Sequence, residues 1–320
     1  MRTILITGGT GFVGHYLTAY LRQKEPTVRL ILTSQAPETS TDSQITIEMV
    51  DLTKSQAVDD LIKKYQPEQI YHLASIAHVA SGFSDPRGLL QNNFTLTLNL
   101  LEAVRQFSPT TRILLVSSAD LYDHDDPAPI DEKRLVRPLN PYAVSKATQD
   151  MLGQAYAASF GLPIIIVRPF NHIGPGQRRG FVVADFASKL AGAELDASKR
   201  RISVGNLEAE RDFTDVRDMV SAYYLLMNQG KIGEIYNAGS GRAVKISDLL
   251  QQMIALVNVP IEVVIDQEKF RPVDYPQVLA NASKLQSLGW RPQIPLAQTL
   301  AEIIDYWRGQ LQQEKQKEEI

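Results

Sequence analysis

Thr3-Ile4-Leu5-Ile6-Thr7-Gly8-Gly9-Thr10-Gly11-Phe12-Val13-Gly14 opens the chain as a short apolar run that stops abruptly at a glycine turn, and residues 15–24 behind it read as a helix. Strand, glycine turn and helix in that order form the first unit of a dinucleotide-binding crossover. The glycines fit two registers, Gly9-x-Gly11-x-x-Gly14 and Gly8-x-x-Gly11-x-x-Gly14. Either one lets the backbone approach a pyrophosphate at the helix N-terminus, where unpaired N–H groups point outward. On this reading Gly8, Thr10, Gly11, Phe12, Val13 and Gly14 contact the cofactor.

Outward from this unit, strand-like runs at 28–33, 45–50, 69–73, 112–116 and 163–167 alternate with helical patterns, among them 86–106. That alternation predicts an α/β protein built on a Rossmann-type, doubly wound parallel sheet. The second strand carries no acidic residue at its end to hold an adenosine ribose diol. Thr33 and Ser34 there offer hydroxyls for a 2′-phosphate, or simply begin a loop. The hydroxyls tilt the expectation toward NADP(H), with NAD(H) as the alternative. Asp51-Leu52 ends the third strand, where Asp51 either meets the adenine amino group or starts a turn, and Thr53-x-x-Gln56 resembles a capping box. Leu73, Ala74 and Ser75 end the fourth, small enough for a cofactor to lie across them.

Composition narrows the class. The 320 residues are 44% hydrophobic, contain no cysteine and carry a formal net charge of -3. A substantial core is available, disulfide and thiolate chemistry are excluded, and no general attraction for nucleic acid or an anionic membrane exists. No apolar run approaches the ~18 residues of a membrane span, so a soluble, cytoplasmic protein is expected.

The fifth strand ends at Ser117-Ser118, at the edge where such sheets bind ligands. After a loop comes Asn140-Pro141-Tyr142-Ala143-Val144-Ser145-Lys146, with Asn140 as cap and Pro141 at the first helical position. Tyr142 and Lys146 then share a helix face at i and i+4. An ammonium beside a phenol stabilises the phenolate, which makes the pair a candidate acid/base device. His124, among Asp123, Asp125 and Asp126, reads as part of a solvated loop, and no histidine pair has metal-ligand spacing.

The second half is less regular. Residues 168–180 form a loop rich in glycine, proline and polar groups. Helical patterns follow at 181–191, 246–257 and 295–312, with short strands at 202–207, 234–238 and 261–265. The alternating charges at 211–218 either pair internally or present Arg211 to a diphosphate, and Arg271 is a second candidate phosphate contact. The expected division is a Rossmann domain over 1–168, with segments near 216–238 returning to it, and a smaller α/β substrate-binding domain over 169–320.

The glycine turn, Ser117-Ser118 and Tyr142-x-x-x-Lys146, in that order, resemble the extended short-chain dehydrogenase/reductases along essentially the whole chain. Arg168-Pro169-Phe170-Asn171-His172-Ile173-Gly174-Pro175-Gly176-Gln177 and the 211–218 segment resemble the GDP-4-keto-6-deoxymannose reductases within that group. The resemblance implies that Tyr142 donates a proton to a sugar C4 carbonyl, Lys146 lowers the tyrosine pKa and binds the nicotinamide ribose, and Ser118 steadies the alkoxide. It also implies His172 near the cofactor, Asn171, Lys189, Leu207, Arg211 and Arg271 on a GDP-linked sugar, and a homodimer. Asp120 stands where relatives often have glutamate, and the shorter carboxylate favours reduction over the C5 deprotonation that a 4,6-dehydratase needs. The alternatives are that dehydratase, another nucleotide-sugar epimerase or reductase, and a nucleotide-sugar-binding regulator without turnover.

Overall fold

Ile4, Leu5 and Ile6 are wholly buried, as a parallel strand covered on both faces requires. The computed structural model describes residues 2–77, 79–270 and 275–318. Its first half runs β1 (Thr3–Thr7), α1 (Phe12–Lys24), β2 (Arg29–Ser34), β3 (Ile45–Met49), α2 (Ser55–Tyr65), β4 (Gln69–His72), α3 (Val79–Ser84), α4 (Pro86–Phe107), β5 (Arg112–Val116), α5 (Pro141–Phe160) and β6 (Ile164–Pro169). There follow β7 (Asn171–Ile173), α6 (Val182–Leu195), β8 (Arg201–Val204), β9 (Glu210–Asp215), α7 (Val216–Gln229), β10 (Ile235–Ala238), β11 (Ala243–Lys245), α8 (Ile246–Ile254), β12 (Glu262–Ile265), β13 (Gln277–Val278), α9 (Ser283–Ser287) and α10 (Leu296–Glu318).

The main sheet has seven strands in the order β10-β6-β5-β4-β1-β2-β3, every pair parallel. This is the Rossmann arrangement read from the alternation of strands and helices. The order reverses between β1 and β4, so a crevice opens at their carboxyl ends, beyond Thr7 and His72. One face of the sheet is covered by Leu17 and Leu21 of α1 with Met219, Tyr223 and Leu226 of α7. The other is covered by Val58 and Ile62 of α2, Leu100 and Val104 of α4, and Tyr156 of α5. A separate apolar core joins Leu190 of α6, Leu250 of α8 and Ile304 of α10 to Ile202 of β8.

Two local expectations fare differently. The Asn140 side chain accepts from the Ala143 amide at 2.8 Å, Pro141 opens α5, and Gly161 ends it at φ +69°. The capping box at Thr53 does not form. Lys54 occupies the N-cap without a side-chain bond, which leaves Thr53 outside the helix. The Thr53 hydroxyl instead donates to Asp51 Oδ1 at 2.7 Å, and the Thr53 amide donates to the same oxygen at 2.9 Å. The charged run 211–218 spans β9 and the start of α7, with Asp215 as the cap of that helix. Among the described residues no helix is long and apolar enough to cross a membrane.

Candidate active site

The glycine turn is fixed by close approach. Gly8 has φ +67°, and a Cβ on Gly14 would come within 2.5 Å of the Gly9 carbonyl oxygen. The first turn of α1 is therefore held against the strand end. No side chain caps α1 at Gly11 and no acid lies in its first turn, which leaves that N-terminus suited to an anion. A Cβ on Gly8 would meet Ala74 Cα at 3.1 Å, which sets the narrowness of the crevice between β1 and β4. Across it the Leu73 amide donates to the Thr7 carbonyl at 3.2 Å, and the Ala74 amide donates to the Thr7 hydroxyl at 3.2 Å. Ser75 donates to the Ile76 carbonyl at 3.4 Å, and the Leu52 carbonyl accepts from Asn99 at 3.0 Å. This cradle fits a dinucleotide pyrophosphate, with Thr10, Phe12 and Val13 along its helix side.

The end of β2 differs from the expectation. Thr33 Oγ1 accepts from the Gly8 amide at 2.9 Å, so this buried hydroxyl is engaged in holding the turn. Ser34 donates to the Glu38 carboxylate at 2.6 Å. An acidic group does stand at this strand end, supplied by the following loop. Asp51 closes the turn to Thr53, and those two hydrogen bonds hold its carboxyl below the usual range.

Ser118, Tyr142 and Lys146 meet at the carboxyl end of β5. Tyr142 is 8% exposed, with Ser118 beside its phenol. Burial pushes the phenol well above its ordinary pKa, Asp120 pushes it further, and Ser118 opposes them. The Lys146 ammonium donates to the Val116 carbonyl at 3.0 Å, and burial pulls its pKa down to about 7 against the pull of Asp150.

The loop after β6 closes over the start of α1. Tyr16 donates to the Pro175 carbonyl at 2.8 Å, and Gln177 donates to the His172 carbonyl at 3.1 Å. The Phe12 and His172 rings lie parallel, 3° apart in plane with centroids separated by 6.4 Å. Burial keeps the His172 imidazole below its usual pKa, the Phe170 carbonyl opposes that, and the charge of Lys146 adds to it. His172 thus stands between Phe12 and the Lys146 end of the site.

The candidate sugar-nucleotide residues divide. Arg211 of β9 donates to the carbonyls of Glu210 and Tyr275, each at 2.8 Å. Asn171 is exposed on β7, in register with Phe213. Lys189 donates to the Ser203 carbonyl at 2.9 Å, and Leu207 packs partly buried against the second core. Arg271 lies outside the described residues. His124 departs from its reading as a solvated side chain: it is 5% exposed and its ring centroid lies 4.2 Å from that of Tyr275. Tyr122 bridges Val136 as extended chain, so residues 122 and 124 face inward while Asp125 stays exposed.

A sequence model of the GDP-mannose 4,6 dehydratase family matches residues 5–303. The chain belongs to that family of extended short-chain dehydrogenases/reductases. It is 33% identical over 314 residues to a GDP-6-deoxy-D-mannose reductase of Pseudomonas aeruginosa, covering 97% of this chain and 99% of the relative. A dTDP-glucose 4,6-dehydratase of Haemophilus influenzae is 28% identical over 337 residues, covering 96% and 98%. The solved structure of RMD from Pseudomonas aeruginosa, complexed with NADPH, superposes with a TM-score of 0.85 at 33% identity and covers 97% of this chain and 100% of its own. The dehydratase-family chain described here is an oxidoreductase of the nucleotide-sugar group.

In this family member, groups beneath the site escaped the sequence reading. His72 lies between the hydroxyls of Thr7 and Thr97, at 2.8 and 3.0 Å, and burial drives its pKa down to about 3. Asn93 donates to Ser145 at 2.9 Å, and Ser145 donates to the Tyr142 carbonyl at 2.8 Å. Arg168 grips Asp150 with two bonds of 2.8 Å. The signal for Asp150 was available: it lies at i+4 from Lys146, on the buried face of α5.

Proposed function

We propose that this protein reduces the C4 carbonyl of GDP-4-keto-6-deoxy-D-mannose to a GDP-6-deoxyhexose such as GDP-D-rhamnose, using NADPH in preference to NADH. The observation that carries the reading is the convergence of Ser118 and Tyr142 beside Lys146, in a chain similar along its whole length to a GDP-6-deoxy-D-mannose reductase. The preference for NADPH follows the NADPH-bound relative.

NADPH would lie along the cradle of Gly8, Gly11 and Gly14 and supply the hydride. Tyr142 then gives its phenolic proton to the carbonyl oxygen as that oxygen gains charge. Ser118 bonds both the phenol and the developing alkoxide. Lys146 binds the nicotinamide ribose, and His172 closes the same end of the site. Asn171, Lys189, Leu207, Arg211 and Arg271 bind the GDP portion. Asp120, beside Tyr142, is left without a C5 proton to remove. The division into a dinucleotide-binding part over 1–168, completed by 216–238, and a substrate part over 169–320 belongs to the same proposal. So does a homodimer formed through α4 and α5, which expose Phe94 and Met151.

The test is NADPH oxidation followed at 340 nm with the authentic keto sugar. One NADPH consumed per GDP-6-deoxyhexose formed supports the reductase. Conversion of GDP-mannose to the keto sugar without net cofactor loss would replace it with the dehydratase.

A further inference from the structure

The loop after β6 is held at its base and at its tip by different parts of the chain. At the base β7 runs parallel to β9, with His172 opposite Thr214. Inside the loop Gln177 is 6% exposed and braces the turn: its backbone N–H donates to the Gly174 carbonyl at 3.3 Å and its side chain to the His172 carbonyl at 3.1 Å. Gly176 takes φ +86° between them, which closes the turn tightly. Residues 172–177 thus form one braced unit, whose place over α1 depends on its outer contacts. At the tip, Tyr16 of α1 donates its hydroxyl to the Pro175 carbonyl at 2.8 Å, joining residues 159 apart in sequence. Burial pushes this phenol up to about 12, so it remains a donor across the neutral range. Its ring stands edge-on to Phe12 with centroids 5.7 Å apart, and the Phe12 ring lies parallel to that of His172. A Cβ on Gly174 would reach Val216 Cγ1 at 2.5 Å and Phe12 Cζ at 3.6 Å, so the loop sits hard against α7 and α1.

We propose that Tyr16 is a positioning residue for the cofactor: its hydrogen bond to the Pro175 carbonyl holds residues 172–177 against α1, and so keeps His172 closed over the nicotinamide end of the bound dinucleotide. The helix that presents its N-terminus to the pyrophosphate then also fixes the wall at the far end of the cofactor. Phe12 and Tyr16 lie at i and i+4 on α1, so one helix face serves both. A merely architectural bond would tie the helix to the loop and bear equally on every ligand of the cradle. The inference rests on a dinucleotide lying along Gly8, Gly11 and Gly14 with its nicotinamide toward Tyr142 and Lys146, and its test reads ligand release instead of turnover.

Tyr16→Phe removes one hydroxyl from a half-buried ring and keeps its contact with Phe12, so the variant is expected to fold as the parent does. In stopped-flow fluorescence the full chain loaded with NADPH is mixed with excess NADP+. The chain loaded with 2′-phospho-ADP-ribose, which lacks nicotinamide, is mixed with excess NADPH. NADPH release is expected to be roughly three- to tenfold faster in the variant, the effect of one neutral hydrogen bond, with release of the fragment within about twofold of the parent. Equal acceleration of both ligands overturns the inference, because the bond then steadies α1 as a whole. Unchanged NADPH release overturns it as well. A parent that binds neither ligand rejects the cofactor cradle, and this role with it. Absence of keto-sugar reduction with faster NADPH release rejects the reductase and leaves this role standing.

Discussion

The Ser34 hydroxyl donates to the Glu38 carboxylate across 2.6 Å at the carboxyl end of β2. That is where a dinucleotide's adenosine ribose lies in a Rossmann sheet, and a fixed negative charge there disfavours a 2′-phosphate. Glu38→Gln is therefore expected to tighten NADPH binding while NADH binding changes little. Because Glu38 is exposed, solvent screens the effect, and a gain of roughly two- to fivefold at low salt is the right scale. Fluorescence titration of both cofactors reads it, and an unchanged NADPH-to-NADH ratio would remove Glu38 from cofactor choice.

Tyr142→Phe is expected to lower the rate of keto-sugar reduction by ~10²–10⁴, the range for loss of a positioned proton donor. NADPH affinity should stay within about twofold, since the ring and its packing are kept. Rates are read by stopped-flow absorbance and affinity by fluorescence. A near-parental rate would show that the proton arrives from another group, and attention would pass to Ser118 and Asp120.

What was readable before the structure follows from how local each signal is. The alternation of strands and helices in the first half and the cap of α5 at Asn140 depend on neighbours in sequence, and they appear where the pattern places them. Glu38 was missed because it reaches Ser34 by a loop turning back, which no periodicity marks. Arg168–Asp150 joins a strand to a helix, so neither residue's neighbours disclose the partner. Helical spacing places Tyr142 and Lys146 on one face, but the burial that shifts both groups comes from distant parts of the chain and is not marked by that spacing.

His124 predicts an acid limb of stability. Burial, with Arg211 opposing its charge, lowers its pKa to about 4, below the ~6.5 of an exposed histidine. Between those values the unfolded chain binds a proton that the folded chain does not, so stability is lost as pH falls from about 6.5 toward 4. His72, lowered to about 3, acts in the same direction. Urea unfolding at pH 7 and at pH 4.5 should differ less in His124→Gln than in the parent, by roughly 2–3 kcal/mol at most. Equal losses in both would place the acid sensitivity elsewhere.

The outer faces of α4 and α5 carry the last prediction. Phe94 is 39% exposed, Met151 57% and Phe160 53%, an apolar surface on adjacent helices. Burying such side chains against a second copy removes them from water at about 25 cal/mol per Å² of apolar area, so the face favours self-association. Phe94→Glu/Met151→Glu places like charges across any symmetric contact and desolvates them, which costs more than the lost apolar burial alone. The parent is expected to sediment as a dimer at micromolar concentration and the double variant as a monomer. Circular dichroism should match in the two, because neither side chain belongs to a buried core. A parent that sediments as a monomer, or a variant that stays dimeric, would show that α4 and α5 do not form the contact.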